Sequence, residues 1–110
     1  MLAMKYNVSM DIHTLSEEVE EISKTYSKKF NIERDSDWFV FKLQEEIGEL
    51  TQAYLMLKGR ARMKGKNAEE IRKDFEGEVG DVLCHTLILA KHFDIDLDKV
   101  IGEKWIQWKK

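Results

Sequence analysis

The sequence predicts an all-α protein, and three observations carry that reading. Its 110 residues include no proline and six glycines, too little punctuation for a fold of many strands and turns. Apolar residues recur at steps of three and four through most of the chain. No segment alternates apolar and polar side chains as a half-buried strand would.

Four helices follow in order. The first starts at Thr14, where Thr14-Leu15-Ser16-Glu17 reads as a capping box, and carries Leu15, Val19, Ile22 and Tyr26 on its apolar face with acids outward. Asn31 to Ser36 is a polar break. The second helix runs from about Asp37 to Lys58, with Ser36 as N-cap and Gly59 as its stop. Its stripe of Leu43, Ile47, Leu50, Tyr54 and Leu57 alternates steps of four and three, as the seam of an antiparallel bundle does. Asn67 followed by Glu70 caps the third helix, whose face holds Ile71, Phe75, Val79, Val82, Thr86, Leu89 and Phe93. After a turn at Asp94 to Asp96, a last helix spans Leu97 to about Trp108.

Length and composition suit one domain over residues 1–110. An apolar share of 43% with 35% charged residues fits a globular chain rather than a disordered one. The lone Cys84 cannot form an internal disulfide, and no Cys/His cluster suggests structural zinc. Met1 to Met10 lacks the apolar core of a signal peptide, and no stretch approaches the roughly 18 apolar residues of a membrane span. A cytoplasmic protein with no membrane partner is therefore expected. A net charge of −3 argues against a nucleic-acid partner. One local asymmetry stands out: Lys58, Arg60, Arg62, Lys64 and Lys66 fall within a stretch that has no acid between Leu50 and Ala68.

The second and third helices repeat one another at an offset of 32 residues: Glu46-Ile47-Gly48-Glu49-Leu50 matches Glu78-Val79-Gly80-Asp81-Val82. A glycine inside a helix costs about 1 kcal/mol relative to alanine, so two in equivalent positions suggest a close backbone approach away from the acids. Residues three apart share a helix face, which pairs Glu46 with Glu49 and Glu78 with Asp81. On antiparallel neighbours the pairs converge. Clustered carboxylates near a core need compensation, and a hard divalent cation supplies it: Mg²⁺, with Mn²⁺ as a substitute, suits oxygen-only ligands. The competing reading is a solvated charged face. Glu18 and Glu21 have the same spacing in the first helix, but Ser16, Ser23, Thr25 and Lys28 flank them, so that pair is expected to face water.

Nearby polar residues have more than one reading. Lys42, four residues before Glu46, suits either a phosphate contact or a salt bridge. His85, four after Asp81, suits a substrate contact, a metal ligand or an ordinary hydrogen-bonded histidine. Trp38, Trp105 and Trp108 suit either stacking on a base or packing between helices.

Glu46-x-x-Glu49, a spacer of 28 residues, then Glu78-x-x-Asp81 resembles the all-α nucleoside triphosphate pyrophosphohydrolases of the MazG-like superfamily. Lys42-Leu43-Gln44-Glu45-Glu46-Ile47-Gly48-Glu49-Leu50 and Glu78-Val79-Gly80-Asp81-Val82-Leu83 carry the resemblance, which extends over about Trp38 to Lys104. It implies a four-helix bundle completed by self-association into a homodimer or homotetramer. It also implies a nucleoside triphosphate as substrate, cut to monophosphate and pyrophosphate in nucleotide-pool house-cleaning. Glu46, Glu49, Glu78 and Asp81 then hold Mg²⁺, and Glu45 or Glu46 orients or deprotonates the attacking water. Lys104 matches a substrate-contacting lysine of the family's last helix, although Trp105, Ile106 and Gln107 depart from the Asn and Arg that often follow it. Arg60 and Arg62 of the basic connector either close over the phosphate tail or remain solvated.

The same acidic motifs, and a histidine placed like His85, also resemble phosphoribosyl-ATP pyrophosphatase of histidine biosynthesis. The long spacer and basic loop favour the house-cleaning branch. A third reading, from another class, is a helical interaction module without catalysis.

Overall fold

The computed structural model of the protein describes residues 11–109. The leader expected to be absent from Met1 to Met10 concerns residues outside that range. Four helices and no strand are present among the described residues: α1 (Ile12–Lys29), α2 (Ser36–Leu57), α3 (Ala68–His92) and α4 (Leu97–Lys104). None of these helices is long and apolar enough to cross a membrane. The described chain divides into two compact units, residues 35–86 and residues 11–34 with 87–109.

Residues 35–86 contain α2, the basic connector and most of α3. Asp35, rather than the expected Ser36, caps α2: its Oδ1 accepts the Trp38 N–H at 2.8 Å. An aspartate at that position brings a formal charge to the positive end of the helix, which a serine hydroxyl cannot. The helix stops at Leu57 as glycine chemistry requires. Gly59 adopts φ +70°, and the Arg60 N–H returns to the Leu55 carbonyl at 2.8 Å. Asn67 and Glu70 form the expected reciprocal box, with Glu70 N–H donating to Asn67 Oδ1 at 2.8 Å and Asn67 N–H to Glu70 Oε1 at 3.0 Å.

Tyr54 meets Phe75 with ring centroids 6.4 Å apart, while Glu46 meets His85. Contacts that climb one helix as they descend the other make α2 and α3 antiparallel. Phe39, Glu46 and Ala53, seven residues apart in turn, are the buried line of α2, and Ile71 is buried on α3. The close approach expected at the helical glycines is absent among the described residues: apart from the local backbone of its own helix, nothing lies within 4 Å of a Cβ position at Gly48 or Gly80. Both sit on exposed backbone, off the line along which α2 is buried.

The other unit departs further from expectation. α1 begins two residues before Thr14, because Asp11 accepts the Thr14 N–H at 2.7 Å and takes the cap. Glu17, expected to complete a capping box, instead bonds Lys91 Nζ at 2.6 Å. The buried face of α1 is also rotated from the expected one, leaving Leu15 and Val19 half-buried. Ile22 and Tyr26 are exposed (67% and 51%), whereas Ser23 and Ser27 are buried. An ion pair accounts for this: Glu20, on the face of Ser16, Ser23 and Ser27, binds Arg34 with both side chains only 13% exposed. Arg34 is brought round by the turn at Asn31, whose φ is +54°.

Leu87, Ile88 and Ala90 of α3 are buried in this unit. The Asp96 side chain caps α4, accepting the Lys99 N–H at 3.2 Å. α4 ends at Lys104 rather than near Trp108, and a single 3₁₀ turn, Ile106–Trp108, follows. Trp105 and Trp108 are about 70% exposed, so they contribute little burial that would hold a further α-turn together.

Candidate functional site

The carboxylates of the repeat come together in the α2–α3 pair. Glu46, Glu49 and Glu78 each offer an oxygen, and the three atoms lie within 4.8 Å of one another. Glu46 and Glu78 are the equivalent positions of the 32-residue repeat, so antiparallel packing of similar helices brings the first acid of each motif to one place. Asp81 stands outside this group of three and is exposed, although its charge is felt by both Glu46 and Glu78.

Burial makes this cluster costly as three ionised groups. Glu46 is 7% exposed. Its Oε2 and that of Glu78 are buried without a hydrogen-bond partner. Loss of hydration, followed by the adjacent Glu49 carboxylate, pushes the Glu46 carboxyl up to about 7. Burial, then Asp81 and Glu49, raises Glu78 as well. Lys42 offsets part of the charge at Glu46. Orphaned oxygens on converging carboxylates fit a hard divalent cation, which would bind the lone pairs and neutralise the repulsion together.

The polar neighbours divide. Lys42 Nζ pairs with Glu45 at 3.2 Å. Glu45 is exposed and lines a groove of about 600 Å³ together with Glu49 and Glu78. His85 Nε2 lies 3.4 Å from Glu46 Oε1. Burial, and then Lys42, lowers its pKa, against the opposing pull of Asp81, Glu45 and Glu49. Arg60 and Arg62 lie in the connector after α2, and neither is among the residues lining this groove. Lys104 is the last residue of α4, in the other unit. Trp38 is half-buried and meets the neighbouring Phe39 edge-on at 5.0 Å. Glu18 is exposed, as expected.

Three residues of the site did not stand out from spacing. Asp74 and Gln52 line the groove, and so does Lys66, whose ammonium is bonded to Asp74. Asp74 precedes Glu78 by four residues and Gln52 follows Glu49 by three, so the helical periodicity that picked out the acids also reaches them. Lys66 gave no such signal, because a turn rather than a helix sets its position.

Over 59 residues the chain is 37% identical to a phosphoribosyl-ATP pyrophosphatase of Ralstonia pickettii (strain 12J), a stretch covering 54% of this chain and 47% of that protein. The chain thus spans about half the length of this curated relative. No family model matches the sequence, and no solved structure matches it.

Proposed function

We propose that this protein is a divalent-metal-dependent pyrophosphohydrolase that hydrolyses a nucleotide between its α- and β-phosphates, releasing pyrophosphate and a monophosphate. The observation that carries this reading is the convergence of Glu46, Glu49 and Glu78, with buried oxygens on two of them left without partners. Partial identity to a pyrophosphatase supports the same chemistry. Glu46, Glu49 and Glu78, joined by Asp81, would hold Mg²⁺ or Mn²⁺. When bound, the cation neutralises phosphate charge and polarises the phosphoryl oxygens. The chain itself supplies the rest. Glu45, exposed at the groove and paired with Lys42, is placed to orient or deprotonate water. Glu46, with a carboxyl that titrates close to neutrality, is the second candidate for that role. Lys42, paired with Glu45, and His85, 3.4 Å from Glu46, are the candidate substrate contacts beside the cluster.

Two substrates fit. A nucleoside triphosphate is the first reading, supported by the long, basic connector between the acidic motifs. Phosphoribosyl-ATP is the second, favoured by the name of the relative and by the place of His85. Self-association into a homodimer or homotetramer in the cytoplasm accompanies either reading, and the exposed Ile47, Val79 and Leu83 are the apolar surface of α2 and α3 it would cover.

The test is an Mg²⁺-dependent assay over common and modified nucleoside triphosphates and phosphoribosyl-ATP, with products identified. Pyrophosphate and a monophosphate as primary products, lost in excess chelator, are expected. Orthophosphate and a diphosphate as primary products would overturn the cleavage position. No turnover of any substrate would favour a non-catalytic helical module.

A further inference from the structure

The basic connector places one of its cations differently from the rest. Lys64 and Gly65 are successive left-handed residues, with φ +54° and +78°. They close a turn in which the Lys66 N–H donates to the Met63 carbonyl at 3.0 Å. Asn67 then begins the capping box of α3. Lys66 is therefore held between a turn and a helix cap, while its long side chain extends to Asp74, about one helical turn (about 6 Å) before Glu78.

Lys66 lines two grooves. The first contains Glu45, Glu49 and Glu78, and among its described lining residues Lys66 is the sole cation. The second, of about 590 Å³, contains Asp74, Glu78 and Asp81, with Lys73 as a further cation. An ammonium beside the carboxylate cluster on both sides is positioned for an anion that also meets the cation those carboxylates attract. Its present partner is replaceable: Lys66 and Asp74 are each nearly half-exposed, and such surface pairs contribute little to stability. A polyphosphate carries more charge than one carboxylate, and in the first groove, whose other charged lining residues are acids, Lys66 offers it the one ammonium.

We infer that Lys66 is a phosphate-binding residue of this site, which leaves Asp74 to contact the phosphates that depart as pyrophosphate. The inference rests on the proposed pyrophosphate-releasing reaction for its biological meaning. Its ligand chemistry, inorganic pyrophosphate with Mg²⁺, is testable without turnover. Both candidate substrates share that leaving group, so the role of Lys66 does not depend on which is used.

The experiment is calorimetric titration of inorganic pyrophosphate into the Mg²⁺-loaded full chain, paired with steady-state kinetics. Lys66→Met is expected to weaken pyrophosphate binding at least tenfold and to raise KM by a similar factor with a smaller change in kcat. Lys66→Arg should recover most of both. Asp74→Asn separates binding from scaffolding, since it frees the ammonium and should leave pyrophosphate affinity equal or tighter. Arg60→Ser/Arg62→Ser should weaken binding several-fold less than Lys66→Met. Unchanged pyrophosphate affinity in Lys66→Met, loss of affinity in Asp74→Asn equal to that in Lys66→Met, or no binding by the unaltered chain would each overturn the inference. Lysine-dependent binding without turnover would retain Lys66 and refute the reaction instead.

Discussion

Glu46 concentrates the chemistry of the site in one side chain. Its carboxyl, raised to about 7 from an ordinary value of 4.5, binds its proton more tightly in the folded chain than in the unfolded one. For a carboxyl shifted in this direction, the folded form is favoured while the group is protonated, and that advantage disappears as pH rises from about 4.5 through 7. The metal-free protein should therefore lose stability across this window, on the order of 3 kcal/mol from Glu46 acting together with Glu49. Glu46→Gln should flatten the slope and leave the metal-free protein at least as stable at pH 8. Urea unfolding at pH 5 and pH 8 in chelator measures it, and a slope unaltered by the substitution would show that Glu46 is not strained by its surroundings. The sequence disclosed the residue types and spacing here, but not which acid bears the cost. Glu46 and Glu49 are equivalent in an E-x-x-E pattern. Only packing makes one buried and the other exposed, because Glu46 falls on the line of Phe39 and Ala53.

Helix α1 shows where periodicity misleads. Its apolar stripe of Leu15, Val19, Ile22 and Tyr26 has the spacing of a core face, yet Ile22 and Tyr26 are exposed and Ser23 and Ser27 are buried. A hydrophobic pattern registers the side chains that repel water; it does not register an ion pair formed with a residue beyond the helix end, as Glu20 forms with Arg34. That pair is largely desolvated, so removing one partner leaves the other without compensation. Arg34→Met should destabilise the protein by about 3 kcal/mol, and Glu20→Gln/Arg34→Met should restore part of the loss. Denaturant titration checks both, and a cost below about 0.5 kcal/mol for Arg34→Met would place the pair with ordinary surface bridges. The bounds of α2 and α3 follow the sequence closely, although Ile47, Tyr54 and Val79 of their expected apolar faces are exposed. Their stop and start signals, Gly59 and the Asn67–Glu70 box, act through local backbone geometry that sequence specifies directly. The last helix ends at Lys104, short of the expected Trp108, for a different reason: the exposure of the Trp105 and Trp108 rings removes the burial that would carry an α-helix through them.

At the scale of the whole molecule, the all-α class follows from the absence of proline and the helical steps, and the repeat of α2 in α3 anticipates the meeting of their acids. Which apolar surface remains exposed did not follow from the sequence, because the stripes of α2 and α3 are wider than the contact between them. Ile47 and Val79 lie on that excess width, and Leu83, outside the expected stripe, is exposed as well. Folding of residues 35–86 thus gathers like charges that repel one another, and a bound cation would convert this liability into stability. A ligand that binds only the native state adds RT ln(1 + [L]/Kd), about 2.7 kcal/mol at a hundredfold excess over Kd. Thermal unfolding in Mg²⁺ and in chelator, for the unaltered chain, Glu49→Gln and Glu18→Gln, tests this most directly. Mg²⁺ should raise the Tm of the unaltered chain and of Glu18→Gln by several degrees, and that of Glu49→Gln by little, while Glu49→Gln in chelator is as stable as the unaltered chain or slightly more so. An equal Mg²⁺-induced rise in Glu49→Gln, or none in the unaltered chain, would contradict a metal centre built on these three carboxylates.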